Sequence, residues 1–124
     1  MTNKIAVVSG GSKGIGKSIV MTFMQNGFDV ITCSRNNEDL NKLTDEADSK
    51  GYKGSLHTFR VDLSKKEAVH NFVQFINLNT QQVDVLVNNA GVFLPGEIST
   101  EEEGSLEFMM NTNLYSAYHL TRGV

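Results

Sequence analysis

Cysteine, long apolar runs and excess charge are all scarce in this sequence, and each scarcity argues against a class of protein. Cys33 is the only cysteine, so the chain can form neither an intrachain disulfide nor a cluster of cysteine metal ligands. It lies in the apolar run 30–33, which favours a small buried strand residue over a reactive thiol. No pair of the three histidines has the spacing of metal ligands together with a third ligand, so we expect no metal site.

No stretch approaches the roughly 18 uninterrupted apolar residues of a transmembrane helix, and the first residues lack the apolar core of a signal peptide. We therefore expect no membrane partner and a cytoplasmic location. The net charge of −3 and the scattered basic residues give no reason to expect nucleic acid as a partner. A chain of 124 residues, 40% of them apolar, is expected to form one domain over 1–124.

Four apolar stretches predict buried strands, at 4–9, 29–33, 55–61 and 83–88. Each is followed by an amphipathic stretch of helical period, and such alternation gives right-handed crossovers and a parallel sheet. The expected fold is therefore α/β, a doubly wound parallel sheet with strand order 3-2-1-4 and helices in layers on both faces. A ligand should lie where that order switches, over the carboxyl ends of strands one and four.

The helices are predicted from their ends and their apolar spacing. The first should cover 14–26 with Ile15 on its apolar face, and the second should follow an asparagine N-cap at residue 36 or 37. Ser64 and Glu67 predict a capping box at the start of the third helix. The last helix should begin at about residue 100 or 105.

A glycine-rich turn joins the first strand to the first helix. It comprises Gly10, Ser12, Lys13, Gly14, Ile15 and Gly16. Its spacing is not that of the common dinucleotide fingerprint, and a glycine cluster alone often marks only a tight turn. Its position before a helix nevertheless favours a pyrophosphate site, because free N–H groups and the positive end of the helix dipole would face an anion.

The end of the second strand carries Ser34 and Arg35 and no acid. A carboxylate at this point would suit the ribose 2′-hydroxyl of NAD, whereas an arginine would pair with the 2′-phosphate of NADP. Lys13 could add a second positive charge. These residues favour NADP(H), although both cations could instead be solvated surface charges.

Two further strand ends carry candidate ligand residues. Asp62, followed by Leu63, could accept a hydrogen bond from an adenine amino group, or it could be an ordinary loop residue. Asn89, Ala90 and Gly91 follow the fourth strand, where small residues would leave room for a ribose, although the segment alone reads as a simple turn.

Together, residues 9–16, 62–63, 88–91 and 111–114 resemble the short-chain dehydrogenase/reductase family in order and spacing, and 109–121 is similar to its 3-oxoacyl-[acyl-carrier-protein] reductases. The resemblance implies a Rossmann-type fold. It also implies that residues 10–16 hold the pyrophosphate, Asp62 and Leu63 the adenine, and 89–91 the ribose. Asn113 would be the one member of the catalytic tetrad that is present.

The family's catalytic Ser and its Tyr-x-x-x-Lys motif lie beyond the helix that bears Asn113, and no tyrosine here has a lysine four residues later. The resemblance thus implies the C-terminally truncated cofactor-binding half of an NADP(H)-dependent oxidoreductase, expected to be inactive alone. Its full-length form would act on a small carbonyl or alcohol. The alternatives are a non-catalytic NADP-binding module or redox sensor, and a gene fragment without a role of its own.

Apolar residues of the last helix, among them Leu106, Met110 and Leu114, have no predicted partner within the chain. An open sheet edge and an apolar helix face both favour association. We therefore expect a homo-oligomer formed through this helix.

Overall fold

The computed structural model describes residues 3–124, which form a four-stranded parallel sheet between helices. The strands are β1 (Ile5–Ser9), β2 (Asp29–Ser34), β3 (Leu56–Arg60) and β4 (Val85–Val87). Their order is β3-β2-β1-β4, with every neighbouring pair parallel, which confirms the sequence prediction.

Within residues 3–124, five α-helices accompany the strands. They are α1 (Gly14–Gln25), α2 (Asn37–Lys50), α3 (Lys66–Asn79), α4 (Ser105–Met110) and α5 (Ser116–Gly123). A single π-helical turn (Asn111–Tyr115) joins α4 to α5. The last helix therefore begins at the later of its two predicted starts, and the π turn was not predicted.

The two sheet faces bury separate cores because successive residues of each strand point to opposite sides. Ala6, Val8 and Val30 pack with α1 and α2 on one face. Val7 and Ile31 pack with α3 and α5 on the other. This is the three-layer arrangement that the alternating pattern predicts.

The start of α2 matches the sequence, whereas the start of α3 does not. Asn36 caps α2, since its Oδ1 accepts hydrogen bonds from Glu38 N at 2.8 Å and Asp39 N at 3.3 Å. The predicted capping box at Ser64 is wrong, because the N-cap residue is Lys65 and, among the described residues, no side chain caps α3. The Ser64 N–H instead donates to Asp62 Oδ1 at 3.0 Å, so the competing Asx turn forms.

Two further expectations differ from the structure. Ile15 is 76% exposed, because α1 buries the stripe of Gly16, Val20 and Met24 on another side. β4 has three residues rather than the six predicted, and all three are only half-buried. Like β3, it is an edge strand of the sheet formed by residues 3–124, so its far edge has no neighbouring strand there.

The amino-terminal ends of the strands are tied by two aspartates. Asp84 Oδ2 accepts from Ile5 N at 2.7 Å, and Asp29 Oδ1 accepts from Ser55 N at 2.8 Å. Burial raises the pKa of Asp29, but the Ser55 and Asn3 hydrogen bonds outweigh it and leave the pKa below its usual value. Both carboxylates extend the strand pairing beyond the ladder.

The carboxyl ends of β1 and β4 are tied by a serine. Ser9 is 1% exposed, and its Oγ accepts from Asn89 N at 3.0 Å and from Ala90 N at 2.9 Å. One hydroxyl thus accepts from two successive backbone N–H groups and holds the segment after β4 against the end of β1.

None of the helices within residues 3–124 has the length and apolar character that a membrane-spanning helix needs.

We predict that Ser9→Ala lowers the free energy of unfolding by about 2 kcal/mol, because it leaves the Ala90 N–H without its acceptor and leaves the Asn89 N–H with only Val87 O. Urea denaturation followed by circular dichroism measures the change. Ser49→Ala is the matched control: the Ser49 hydroxyl is exposed and donates only to Glu46 O, so its loss should cost less than about 0.5 kcal/mol. Equal stability of the two variants would contradict the role given to Ser9.

Candidate functional site

A cleft of about 790 Å³ opens over the carboxyl ends of the strands, where a doubly wound sheet binds its ligand. Its volume suits a sizeable organic ligand. The sequence-predicted residues that the structure brings together along it are Gly10, Ser12, Lys13, Ser34, Arg35, Asp62, Leu63, Asn89, Ala90 and Gly91.

The glycine turn forms one wall of the cleft in a conformation that requires glycine. Gly10 has φ +69°, a left-handed conformation that side chains disfavour. A Cβ on Gly16 would collide with Gly10 O and Asn89 Nδ2. Asn89 Nδ2 itself donates to Gly10 O at 3.0 Å, so the turn is held directly against the segment that follows β4.

The start of α1 leaves backbone donors available. Its first helical bond runs from Lys17 N to Lys13 O at 3.1 Å, and within 3–124 no side chain caps this helix. The N–H groups of residues 14–16 therefore precede the helical bonding and lie at the positive end of the helix dipole. This donor set fits a phosphate group.

Gly14, Ile15 and Gly16 are not among the described residues that line the cleft. Gly14 and Ile15 instead border an apolar groove along α1, together with Ile19 and Phe23. Their contribution to a ligand in the cleft would come from their amides rather than from their side chains.

The end of β2 forms the polar end of the cleft. Ser12 Oγ lies 3.0 Å from Ser34 Oγ, and Ser34 Oγ accepts from Asn36 N at 3.3 Å. These bonds hold the glycine turn beside the loop that carries Arg35. Arg35 is exposed and lines the cleft, as its place at the strand end predicts.

Asp39 and Arg60 also line this end, and the sequence reasoning did not identify either one. Asp39 Oδ2 lies 3.1 Å from Lys13 Nζ. The Asn36 cap was the available signal, because it places the third residue of α2 back towards the glycine turn. For Arg60 the sequence offered no such signal, because its place at the cleft follows from its register opposite Ser34 in the sheet.

Asp62 is charged at neutral pH. Burial raises its pKa, but the Ser64 hydrogen bonds and the charges of Arg35 and Lys65 together hold the pKa below its usual value. One of its oxygens already accepts from Ser64 N. The carboxylate therefore acts as an acceptor in the cleft, as an adenine contact would require.

Asn113 lies in the π turn and is bound to the segment after β4. Its Oδ1 accepts from Val92 N at 2.7 Å, and its Nδ2 donates to Val92 O at 2.8 Å. The side-chain amide is thus engaged on both sides with backbone, which positions the wall of the cleft. Thr112 beside it is 6% exposed and lines the cleft, and its Oγ1 has no hydrogen-bond partner among the described residues.

Cys33 lines the cleft as well, and it is 1% exposed, as the sequence predicts. Burial raises the pKa of its thiol to about 12. The thiolate, which is the nucleophilic form, is therefore not populated at neutral pH. Across residues 3–124 the structure also shows no group of three metal-ligating side chains.

Known proteins with similar sequences and structures share this architecture. The model of the short chain dehydrogenase family matches residues 4–124. The dehydrogenase/reductase SDR family member 11 of Gallus gallus is 32% identical over 121 residues, which cover 98% of this chain and 48% of that protein. The 3-oxoacyl-[acyl-carrier-protein] reductase FabG of Chlamydia pneumoniae is 32% identical over 124 residues, covering 100% and 49%.

A solved structure of a metagenomic short-chain oxidoreductase in complex with NADP has a TM-score of 0.89 and 30% identity. The match covers 99% of this chain and 55% of that one. The chain thus spans about half the length of the curated relatives it matches. On the family match, the strand order and the position of the cleft, this chain belongs to the short-chain dehydrogenase/reductase family.

Proposed function

We propose that this chain is the NADP(H)-binding part of an oxidoreductase that transfers hydride between a nicotinamide and a carbonyl or secondary alcohol. The observation that carries the proposal is the cleft, in which one surface joins the glycine turn to a strand end bearing Arg35. The NADP complex of the metagenomic relative supports the same cofactor.

The residues present fit such a cofactor. The uncapped start of α1 would hold the pyrophosphate, and the lack of a side chain at Gly16 lets this helix begin close to Gly10 and Asn89. Arg35 would take the 2′-phosphate, because a guanidinium presents a planar set of donors to phosphate oxygens. Asp62 and Leu63 would hold the adenine, and residues 89–91 the ribose.

The chemistry divides between cofactor and protein. When bound, the nicotinamide supplies or accepts the hydride. The described residues bind and orient: Ser9 and Asn89 fix the two strand ends, and Asn113 fixes Val92 at the wall of the cleft. Asn113 would therefore serve catalysis by positioning backbone.

We predict that the chain binds NADP at least about tenfold more tightly than NAD and that Arg35→Asp abolishes this preference, because the 2′-phosphate loses its cation. Titration calorimetry with each dinucleotide measures both affinities. Lys42→Asp makes the same charge reversal on the exposed side of α2, outside the cleft, and should leave the preference intact. Equal affinity of the unmodified chain for the two dinucleotides would overturn the cofactor assignment.

The second candidate is a module that binds NADP without turning it over. It is favoured by the tyrosines of residues 1–124: Tyr52, Tyr115 and Tyr118 are not followed by a lysine four residues later, and among the described residues no tyrosine lines the cleft. On either proposal, the 124-residue chain mixed with NADPH and a panel of ketones should give no turnover above the blank. Turnover would exclude the module and show that residues 1–124 contain their own proton donor.

We further propose that the chain self-associates through its last helical segment. Leu106, Met110, Leu114 and Tyr118 recur at four-residue spacing, and all four are exposed. This spacing places them on one face, and a continuous apolar stripe of this kind is typical of an interface.

Light scattering should therefore show a dimer or a larger assembly, and Leu114→Glu should shift it towards monomer. Leu78→Glu is the matched control, because Leu78 is an exposed leucine on α3 outside the stripe and its replacement should not change the mass. A monomeric unmodified chain at working concentration would contradict the proposed interface.

A further inference from the structure

The polar end of the cleft contains more positive charge than Arg35 alone. Lys13, Arg35 and Arg60 line it, together with the carboxylates of Asp39 and Asp62. Lys13 Nζ lies 3.1 Å from Asp39 Oδ2, so the positive charge of Lys13 is already paired with a carboxylate. Within residues 3–124 neither arginine forms an ion pair, which leaves two guanidinium groups to meet an anion.

The sheet register brings these two arginines together. Arg60 is the last residue of β3 and pairs with Ser34, the residue before Arg35. Both arginines therefore leave the same edge of the sheet on adjacent strands. This edge lies on the β3 side of the cleft, next to Asp62 and away from the β1–β4 junction.

A specific hydrogen bond fixes the orientation of Arg60. Its Nε donates to Arg35 O at 3.1 Å. An arginine has five N–H donors, so this bond leaves the four on the two Nη atoms for another acceptor. Because the Arg60 guanidinium is hydrogen-bonded to the backbone of Arg35, it lies beside the Cα from which the Arg35 side chain extends.

We infer that Arg60 is a second specificity-determining residue, which binds the 2′-phosphate of NADP(H) together with Arg35. The inference rests on the proposed function, since it assumes that the adenosine end of the cofactor lies at β2 and β3. A phosphate dianion accepts several hydrogen bonds, and two guanidinium groups from adjacent strands supply more donors than one. Lys13, held by Asp39, is the weaker candidate for this role.

The test compares adenosine 2′,5′-bisphosphate with adenosine 5′-monophosphate, which differ only in the 2′-phosphate. Arg60→Gln should weaken binding of the bisphosphate about tenfold and leave the monophosphate within about twofold, as expected for loss of a charged hydrogen bond. Arg60→Lys keeps the charge but loses the Nε bond to Arg35, so it should weaken the bisphosphate by only about threefold. Lys53→Gln removes an exposed charge outside the cleft and should change neither affinity.

The outcomes separate this inference from the proposed function. If Arg60→Gln weakens both nucleotides equally, Arg60 only supports the loop, and the inference is overturned. It is also overturned if the bisphosphate affinity does not change. If the unmodified chain shows no preference for the bisphosphate, the NADP(H) assignment itself fails. Melting curves of the variants confirm that each one is folded, which an exposed side chain at position 60 leads us to expect.

Discussion

The hydrogen bonds that join the end of β1 to the segment after β4 are the constraint on which the site depends. Ser9 Oγ accepts from two backbone N–H groups of that segment, and Asn89 Nδ2 returns a bond to Gly10 O. Strand order switches at this junction, so two walls of the cleft come from parts of the chain far apart in sequence. The same bonds leave Gly16 no room for a side chain, and they thereby select the glycine.

Electrostatics then distinguishes the two ends of the cleft. The start of α1 presents neutral donors and a helix dipole, whereas the ends of β2 and β3 present arginines. Asp39 moderates this positive charge by pairing with Lys13, and Asp62 remains ionised beside Arg35. NADP(H) matches this pattern, because its pyrophosphate would face the start of α1 and its 2′-phosphate, which is carried by the adenosine ribose, would face the arginines.

The strand order, the buried Cys33 and the Asn36 cap were all predictable, because each depends on local pattern or on a rule about parallel sheets. The two helix failures have different physical origins. Ser64 fits a capping box, but the Asx turn of Asp62, two residues earlier, competes for the same N–H. Ile15 fits the apolar period of α1, but the side of the helix that packs is the one that carries Gly16.

The same distinction applies to the site. The glycine turn, Arg35, Asp62 and residues 89–91 follow predicted strands and could be placed from sequence. Asp39 reaches the cleft from the first turn of α2, for which the Asn36 cap was the one sequence signal, whereas Arg60 reaches it through strand register and required the fold. The π turn that holds Asn113 has no signal in apolar periodicity, because it adds a single residue to one helical turn.

The proposed function requires that the dinucleotide binds in the cleft at the switch point and not in the apolar groove along α1. Two-dimensional 1H–15N NMR of the chain during addition of NADP tests it most directly. We expect the largest amide shifts at residues 10–16, 34–35, 60–63 and 89–91. Largest shifts at Ile19, Phe23 and Phe28, which line the groove, would contradict it, as would the absence of any localised shift at saturating NADP.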